Sequence, residues 1–540
     1  PNSCGGREFS DGGHRRIMQS VSNQTLPGIL AETARRLANR IAIEDGARSL
    51  TYGELKDAVD QAAAAFVASG LRPGDRVGIW GPNGADWIIA ALGAQSAGGC
   101  IVPLNTRLKG REAGDILRRS GARILCHSGR FLRLDFEALL APEPLPELSC
   151  RLEMGSDQWL AWLAAPNEAH REEVTRRLSL LNANDLADVM FTSGTTGRPK
   201  GVMSSHGQNV RVFTAWSSIV GLESDDRYLI VNPFFHAFGY KAGWLACLIT
   251  GATIIPMAIF DAGEVIRKIA SDRISVLPGP PTLFQSMLAH ADRSREATAS
   301  LRLAVTGAAN VPTSLIQKMH DELGFKTVIT GYGLTESTGT VSMCRPGDNA
   351  ETIARSCGAP LPGVEVKIVA EDGREATPGT EGEIWVRGYN VMQGYWDDPA
   401  ATNATIDGEG WLHTGDIGTQ DARGYLRITD RKKDMFIVGG FNCYPAEIES
   451  LISAHPAIAQ VAVVGVPDER MGEVAAAYVV LRHEIDFAVD DFIAWCRDNM
   501  ANYKVPRQVH VVTALPTTAS GKVQKFALRE IAPEPAAGRP

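Results

Sequence analysis

The fold is decided by a stretch that occurs twice, as Gly98-Gly99-Cys100-Ile101-Val102-Pro103-Leu104 and Gly251-Ala252-Thr253-Ile254-Ile255-Pro256-Met257, at a constant offset of 251 − 98 = 153 residues. Each copy follows an apolar run with a helical pattern, passes a glycine turn and ends a short apolar strand at proline. Wholly apolar strands are typical of parallel sheets that helices cover on both faces. The repeat predicts two similar α/β layers. The alternative is that a common α/β pattern recurs by chance.

The neighbouring segments extend this interpretation. Leu301–Val305 and Lys326–Thr330 are strand-like, and each ends in a glycine-bearing turn, where open α/β sheets bind their ligands. From Gly358 to Trp396 short alternating strands predict hairpins or a small β-barrel. After Asp430 helical and strand patterns alternate over about a hundred residues, which predicts a separate small α+β domain.

These patterns predict the division of the chain. We expect a disordered N-terminus over 1–20, a large N-terminal domain over 21–429, a small domain over 430–532 and a tail over 533–540. The N-terminus lacks the apolar core of a secretory signal. Gly243–Phe260 has no charged residue in 18 positions, but its internal glycine and proline favour a buried helix–turn–strand over a transmembrane segment.

Composition excludes several classes of function. The 540 residues carry a net charge of −8, so the chain has no general attraction for nucleic acid or for anionic lipid. Any bound phosphate must be held locally. The nine cysteines are scattered and never spaced as CxxC, which indicates a reduced, cytoplasmic protein without structural zinc or a disulfide framework.

The sharpest local motif is Thr192-Ser193-Gly194-Thr195-Thr196-Gly197-Arg198-Pro199-Lys200. Its hydroxyls and glycines cannot pack a core, but they offer O–H and N–H donors to a polyanion. The motif is not a Walker loop, because Pro199 separates the glycine from Lys200. The alternative is a solvent-exposed flexible linker.

Three weaker motifs follow along the chain. In Tyr332-Gly333-Leu334-Thr335-Glu336 the tyrosine can stack on a purine, the threonine can hold a phosphate oxygen and the carboxylate can ligate Mg²⁺. Thr414-Gly415-Asp416 places a carboxylate suited to ribose hydroxyls, and Gly521-Lys522 places a cation in a Gly/Ser loop. Each alone is more commonly a turn, a capped helix start or a solvated surface.

In this order, the motifs resemble the adenylate-forming superfamily, which includes acyl-CoA synthetases and peptide-synthetase adenylation domains. The resemblance runs from Leu50-Thr51-Tyr52-Gly53-Glu54-Leu55 to about Glu530. It implies a large N-terminal domain of two similar α/β subdomains plus a β-barrel, and a small mobile α+β C-terminal domain. It also implies an ATP-dependent ligase that uses Mg²⁺ and coenzyme A and acts through an acyl-adenylate.

The resemblance assigns roles to residues at matching positions. Thr192, Ser193, Gly194, Thr195, Thr196, Gly197 and Lys200 match the loop around the ATP phosphates, and Gly307, Ala308, Ala309 and Tyr332 match the adenine pocket. Thr335 and Glu336 match the phosphate and magnesium positions, Asp416 and Arg431 the ribose contacts, and Asp430 the hinge. Lys522 matches the catalytic lysine of adenylation. Gly439, Gly440 and Phe441 match the loop that faces the site during thioester formation, and His236 matches a gate between the acid and the thiol.

Departures from the family narrow the activity. Amino-acid-activating members carry an aspartate soon after the aromatic pair, whereas Phe235-His236-Ala237-Phe238-Gly239 has none, so an amino acid is not the expected substrate. No insertion separates Glu336 from Asp416, unlike the ligases that release acyl-AMP. Coenzyme A is therefore the expected acceptor. The alternatives are loading of a separate carrier protein and a catalytically inactive nucleotide-binding protein.

The acyl substrate is less constrained. The segments Asn232–Gly243 and Leu277–Thr282 resemble actinobacterial ligases that activate an indane-propionate left after steroid ring opening; a medium-chain fatty acid is the alternative. Lys241, in an otherwise apolar stretch, either meets a polar group of the substrate or reaches solvent from a helix end. His206 is expected to be a polar residue at a helix start and not a base. The expected partners are small molecules, and a homo-oligomer stays open.

Overall fold

The computed structural model describes residues 24–192, 199–307, 311–370, 372–431, 436–482, 487–516, 523 and 525–531. The strands are numbered β1 to β26 in chain order. The α-helices are Leu26–Leu37, Tyr52–Ala68, Ala85–Ser96, Gly110–Ser120, Phe136–Leu140, Asp157–Ala164, Glu168–Leu180, His206–Val220, Ala237–Gly239, Ala246–Thr250, Ala262–Asp272, Pro281–Ala289, Thr313–Asp321, Ala350–Arg355, Pro399–Thr405, Pro445–Ile452, Val489–Asn499 and Lys525–Ile531.

The first large sheet has seven strands in the order β19-β10-β9-β4-β3-β5-β8. Its parallel part runs from β9 to β8, and β10 pairs antiparallel with β9 and with β19 at one edge. The strands are β3 (Arg76–Trp80), β4 (Cys100–Pro103), β5 (Ala122–His127), β8 (Cys150–Glu153), β9 (Leu186–Thr192), β10 (Lys200–Ser205) and β19 (Gly394–Tyr395). A small hairpin of β6 (Arg130–Phe131) and β7 (Leu134–Asp135) lies between β5 and β8 in sequence.

The second sheet consists of two four-stranded parts, β2-β1-β12-β11 and β13-β14-β15-β16. Parallel bridges through Val276 join the two parts. The pairs β1–β12, β11–β12 and β13–β14 are parallel. The strands are β1 (Ile41–Asp45), β2 (Arg48–Thr51), β11 (Arg227–Ile230), β12 (Thr253–Pro256), β13 (Leu303–Gly307), β14 (Thr327–Tyr332), β15 (Ser342–Met343) and β16 (Ala359–Pro360).

The predicted repeat is confirmed by these two sheets. The first copy forms the end of the helix Ala85–Ser96, a turn at Gly98 and β4, and the second forms the helix Ala246–Thr250, a turn at Gly251 and β12. The two glycines have φ of +84° and +88°, a region that side chains with a Cβ rarely adopt. Both strands are wholly buried, so each copy places one apolar parallel strand between two neighbouring strands of its own sheet.

The β-rich region beyond Gly358 is a four-stranded antiparallel sheet in the order β17-β18-β20-β21. Its strands are β17 (Val364–Val369), β18 (Gly382–Gly388), β20 (Leu412–Gln420) and β21 (Leu426–Arg431). This sheet follows the two α/β layers in the chain and completes the large N-terminal domain.

The small C-terminal domain has a five-stranded sheet with the order β23-β22-β25-β24, in which β26 also pairs with β25. Its strands are β22 (Phe436–Val438), β23 (Phe441–Cys443), β24 (Ile458–Asp468), β25 (Gly472–Leu481) and β26 (Gln508–Val511). One face packs on the helices Pro445–Ile452 and Val489–Asn499 in a separate apolar core, so the predicted α+β unit is confirmed.

The uncharged stretch Gly243–Phe260 spans the end of a π-helical turn, the helix Ala246–Thr250 and β12, as the sequence predicts. Among the described residues, no helix is both long enough and apolar enough to span a bilayer. The termini 1–20 and 533–540, for which we expect disorder, lie outside the described residues.

Candidate active site

A continuous cleft of about 1170 Å³ lies between the large and the small domain. Its walls combine the ends of β9, β13 and β14, the segment 231–242, and the β22–β23 turn of the small domain. The candidate residues Thr192, Lys200, His236, Gly307, Tyr332, Thr335, Glu336, Asp416, Gly439, Gly440 and Phe441 all line it. The fold therefore brings together motifs that are more than 200 residues apart in the sequence.

The two described ends of the phosphate-loop motif lie where β9 ends and β10 begins. Thr192 and Lys200 are paired across the two strands. Ser193, Gly194, Thr195, Thr196 and Gly197 lie outside the described residues. The described ends fix where the loop begins and ends, at the wall of the cleft.

The predicted adenine pocket lies at the ends of two paired parallel strands. Gly307 and Gly331 are partners in the register of β13 and β14, and Tyr332 closes β14 with its ring largely buried. A Cβ at Gly333 would collide with the carbonyl oxygen of Gly339, so the backbone passes there only without a side chain. Ala308 and Ala309 lie outside the described residues.

Tyr332 connects the adenine pocket to the predicted ribose position. Its hydroxyl donates to Oδ2 of Asp416 over 2.6 Å, a short bond because the acceptor is a carboxylate. Asp416 is 8% exposed, lies on β20, and its backbone is in register with Arg431 on β21. The structure thus places the predicted ribose residues next to the predicted adenine residue.

Thr335 and Glu336 form a single 3-10 turn, Thr335–Ser337, directly after β14. The Glu336 carboxylate accepts a 2.9 Å hydrogen bond from the hydroxyl of Tyr395, and the Lys200 ammonium lies 4.8 Å from the centre of the same tyrosine ring. The cleft walls raise the pKa of Glu336 by desolvation, which the bond from Tyr395 and the charge of Lys200 oppose. A partly buried carboxylate at the wall of the cleft, close to Lys200, is suited to a divalent cation.

His236 begins the short helix Ala237–Gly239, where its Nδ1 accepts a hydrogen bond from the backbone N–H of Phe238 over 3.3 Å. The ring faces the open cleft, yet the surrounding walls lower its pKa by desolvation, so it is neutral near pH 7. Beyond it the cleft is lined by apolar side chains: Phe213, Trp216, Phe235, Phe238, Ala242 and Leu283. This part can accept an apolar acyl group.

The structure contradicts both interpretations of Lys241, contact with the substrate and exposure to solvent at a helix end. Lys241 is fully buried, and its ammonium lies 3.1 Å from Oδ1 of Asp188, which is fully buried as well. It therefore reaches neither solvent nor the cleft. It lies in a π-helical turn, Tyr240–Leu245, a local geometry that is common near functional sites. His206 does begin a helix, as expected, but it is completely buried.

The small domain contributes the turn between β22 and β23. Gly439 and Gly440 have φ of +54° and +87°, and their neighbours Val438 and Phe441 are paired, which is the geometry of a tight two-residue hairpin turn. A Cβ at Gly440 would lie 3.8 Å from Pro280 of the large domain, so the turn faces that wall of the cleft. The positive φ values favour glycine at both positions of the turn.

The sequence analysis missed three cleft residues near the predicted residue Phe441: Asn105, Arg107 and Tyr503. Phe441 and Tyr503 stack with ring centres 4.8 Å apart, and the Arg107 guanidinium lies 4.3 Å from the centre of the Phe441 ring. The amide of Asn105 donates to the Tyr503 hydroxyl over 3.3 Å. The contacts of Arg107 and Asn105 join the two domains, so no local motif marks them. Tyr395 was missed for the same reason, because its partners are distant in the sequence.

Lys522 lies outside the described residues, and so does the Gly521 before it. Its predicted catalytic role stays a prediction. Of Arg431 the structure describes the backbone position only.

Comparisons with known proteins agree with this site. A family model described as "AMP-binding enzyme" matches residues 30–396, and one described as "AMP-binding enzyme C-terminal domain" matches residues 447–522. A protein from Rhodococcus jostii named 3-[(3aS,4S,7aS)-7a-methyl-1,5-dioxo-octahydro-1H-inden-4-yl]propanoyl:CoA ligase is 48% identical, over 94% of this chain and 98% of that protein. A Mycobacterium tuberculosis protein of the same name is also 48% identical, over 94% and 99%.

A solved structure is similar to this chain across both domains. O-Succinylbenzoate CoA synthetase from Bacillus subtilis, bound with a product analogue, is 30% identical and matches with a TM-score of 0.82 over 94% of this chain and 99% of that one. The agreement covers both domains. With the family matches and the cleft geometry, it shows that the chain belongs to the AMP-binding, adenylate-forming enzyme family and is an AMP-forming acyl-CoA synthetase.

Proposed function

We propose that the protein joins a ring-bearing propionate from steroid breakdown to coenzyme A, through an acyl-adenylate, with release of AMP and pyrophosphate. The observation that carries this proposal is the single cleft that contains the nucleotide residues, an apolar wall and the Gly439-Gly440 turn. An acid, ATP and a thiol can therefore meet in one space. The named activity of the two relatives at 48% identity supports the ring-bearing acid.

The nucleotide half of the cleft fits ATP. We assign adenine to the ends of β13 and β14 at Gly307 and Tyr332, the ribose hydroxyls to Asp416 and Arg431, and the phosphates to the β9–β10 loop and Thr335. Lys200, at the foot of that loop, adds a positive charge beside the phosphates. The ribose hydroxyls are the expected partners for a largely buried carboxylate, and Asp416 is 8% exposed.

Glu336 fits a magnesium ion. Its carboxylate is held by Tyr395 at the wall of the cleft, and in proteins Mg²⁺ is commonly bound by one or two carboxylates together with substrate phosphates. The desolvation that raises the pKa of Glu336 is relieved by a cation at that position. Bound there, the ion would neutralise charge on the phosphates of ATP.

Two anions must approach in the first step, since a carboxylate attacks the α-phosphate. We assign the compensating cation to Lys522. One ammonium about 4 Å away contributes on the order of 4 kcal/mol at an effective dielectric near 20, which corresponds to nearly three decades in rate. The neutral ring of His236 lies at the border of the apolar wall, where it separates the acid from the thiol path.

Coenzyme A fits the interdomain part of the cleft. The Gly439-Gly440 turn leaves a passage without side chains, and Arg107, Arg111 and Arg470 line the same cleft. Guanidinium groups bind phosphates through paired N–H donors, so these arginines suit the phosphates of the nucleotide end. The solved O-succinylbenzoate CoA synthetase structure is bound with its product analogue OSB-NCoA. This supports binding of coenzyme A by the domain orientation that the present structure shows.

The test is thioester formation across a panel of acids. Purified protein with ATP, Mg²⁺ and CoA should convert the 7a-methyl-1,5-dioxo-octahydroinden-4-yl propionate at least tenfold more efficiently, as kcat/KM, than octanoate or benzoate. A preference for octanoate would remove the steroid-derived substrate and keep the ligase. Pyrophosphate release with accumulation of the acyl-adenylate and no consumption of CoA would instead support transfer to a carrier protein, and the absence of pyrophosphate exchange with every acid would support an inactive nucleotide-binding protein.

A further inference from the structure

Lys241 bridges β9 and β10, the two strands that flank the phosphate-loop motif. Its Nζ lies 3.1 Å from Oδ1 of Asp188 on β9 and donates to Oγ of Ser204 on β10 over 3.1 Å. Asp188 and Ser204 are direct partners in the strand register, four residues below the paired Thr192 and Lys200. One ammonium therefore holds both strands that carry the loop at their tip.

Lys241 also lies in the segment that forms the wall of the acid pocket, although its own side chain does not line the cleft. It comes two residues after the His236-capped helix, and the next residue, Ala242, lines the cleft. The π-helical turn places Tyr240 so that its hydroxyl lies 3.4 Å from Oδ2 of Asp188, which also accepts a 2.6 Å bond from Asn209. The wall is thus tied to the hairpin by directional polar contacts inside an otherwise apolar core.

Stability alone does not account for such a pair. Both side chains are fully buried, and removing two charges from water costs several kcal/mol per ion, so a well-packed apolar pair is commonly as stable or more stable. What the ion pair adds is a fixed geometry between two elements. Those elements carry the acid on one side and the ATP phosphates on the other.

We propose that Lys241 is a positioning residue that sets the acid-binding wall relative to the phosphate-loop hairpin, and so sets the approach of the acid to the α-phosphate. This inference rests on the proposed function for the identity of the two ligands. It gives Lys241 no contact with the substrate. It predicts that loss of the bridge changes the use of the acid more than the use of ATP.

The test compares Lys241→Met with the double variant Lys241→Met/Asp188→Asn. The single variant leaves Asp188 charged, buried and without the ammonium, so its thermal midpoint should fall sharply. The double variant removes both charges, and the side-chain oxygen of the new asparagine can still accept the hydrogen bond from Asn209. Its thermal midpoint should therefore return towards that of the wild type. Its kcat/KM for the acid should nevertheless stay at least tenfold low, with KM for ATP changed less than twofold.

A second readout separates positioning from general damage. A displaced wall alters the shape of the acid pocket, so the ratio of kcat/KM for the indane-propionate and for octanoate should shift at least fivefold in the double variant. A loss of folded enzyme would lower both values equally. Ser204→Ala removes one bond of the bridge and no charge, so it should lower kcat/KM for the acid roughly threefold and lower the thermal midpoint by less than Lys241→Met does.

The matched control is Lys268→Met/Asp272→Asn, which removes an ion pair of 3.0 Å on the surface helix Ala262–Asp272. It should leave every kinetic constant within twofold, since exposed pairs contribute little. Recovery of both stability and acid kinetics in the Lys241→Met/Asp188→Asn variant would overturn the proposal. So would an unchanged selectivity ratio. Neither result would alter the wild-type substrate panel that tests the proposed function.

Discussion

Glu112 of the large domain and Lys504 of the small domain form an ion pair across the interface, with Oε1 and Nζ 2.9 Å apart. Lys504 is 3% exposed and also contacts Oε1 of Glu447, in its own domain, over 2.6 Å. The two carboxylates and Tyr503 raise the pKa of Lys504 against the desolvation that burial imposes. A rotation of the small domain would keep the bond to Glu447 and break the one to Glu112.

Glu112→Gln should therefore disfavour the described orientation selectively. Lys504 keeps Glu447, so we expect a loss of about 1–2 kcal/mol, which corresponds to roughly tenfold in the population of this orientation. Thioester formation from supplied acyl-adenylate should slow about tenfold, because the Gly439-Gly440 turn faces the cleft in this orientation. ATP–pyrophosphate exchange should be unchanged or faster.

The matched control is Glu44→Gln, which weakens a partly buried ion pair with Arg227 inside the large domain. It should leave the ratio of the two half-reactions unchanged. If Glu112→Gln slowed both half-reactions equally, the pair would stabilise the fold without selecting an orientation.

Lys522→Ala should divide the reaction in the opposite way. Only adenylation brings two anions together, so pyrophosphate exchange should fall by at least a hundredfold while thioester formation from supplied acyl-adenylate stays within threefold. Lys525→Ala is the control, because Lys525 pairs with Glu449 over 2.8 Å and lies three residues further along the chain. Equal loss of both half-reactions in Lys522→Ala would contradict this division of labour.

Local patterns predicted much of the fold and of the nucleotide site. Wholly apolar strands that follow glycine turns, such as Cys100–Pro103 and Thr253–Pro256, are typical of buried parallel strands in an α/β layer, and both form such strands in the structure. Tyr332 and Asp416 were identified from separate motifs, and the structure joins them by a hydrogen bond. Each of these residues could be identified because the residues next to it in the sequence form a recognisable motif.

What the sequence did not predict depends on contacts between distant segments. A lysine such as Lys241 has the same local appearance whether it faces solvent, a substrate or a buried aspartate; only the packing of the π-helical turn on β9 decides. Lys504 and Glu112 are 392 residues apart and meet only in one arrangement of the two domains. No periodicity within either segment records that arrangement.

Glu336→Gln tests the magnesium assignment. The amide keeps the size of the side chain and loses the charge, so pyrophosphate exchange should fall at least a hundredfold and the Mg²⁺ concentration for half-maximal rate should rise. Thioester formation from supplied acyl-adenylate should fall less than threefold, since pyrophosphate has already left. Glu365→Gln, at an exposed pair with Arg387, is the control. An unchanged Mg²⁺ dependence in Glu336→Gln would place the ion elsewhere.

His206 makes stability depend on pH in a defined window. Complete burial lowers its pKa from 6.5 to about 4, and its Nδ1 accepts a bond from the backbone N–H of Leu26. Because the folded pKa is the lower one, the unfolded chain binds more protons between pH 4 and 6.5, so this residue's contribution to stability falls as the pH falls through that window. The full contribution is on the order of 3 kcal/mol.

His206→Gln removes the titration and keeps a polar side chain that can accept the bond from Leu26. The variant should be less stable than the wild type at pH 7.5. The gap in unfolding free energy should narrow by about 2 kcal/mol at pH 5, because only the wild type has a histidine here, whose protonation in the unfolded chain favours unfolding. Urea denaturation at the two pH values measures this gap. A constant gap for His206→Gln would contradict this prediction, because it would mean that the folded and the unfolded chain protonate His206 equally readily.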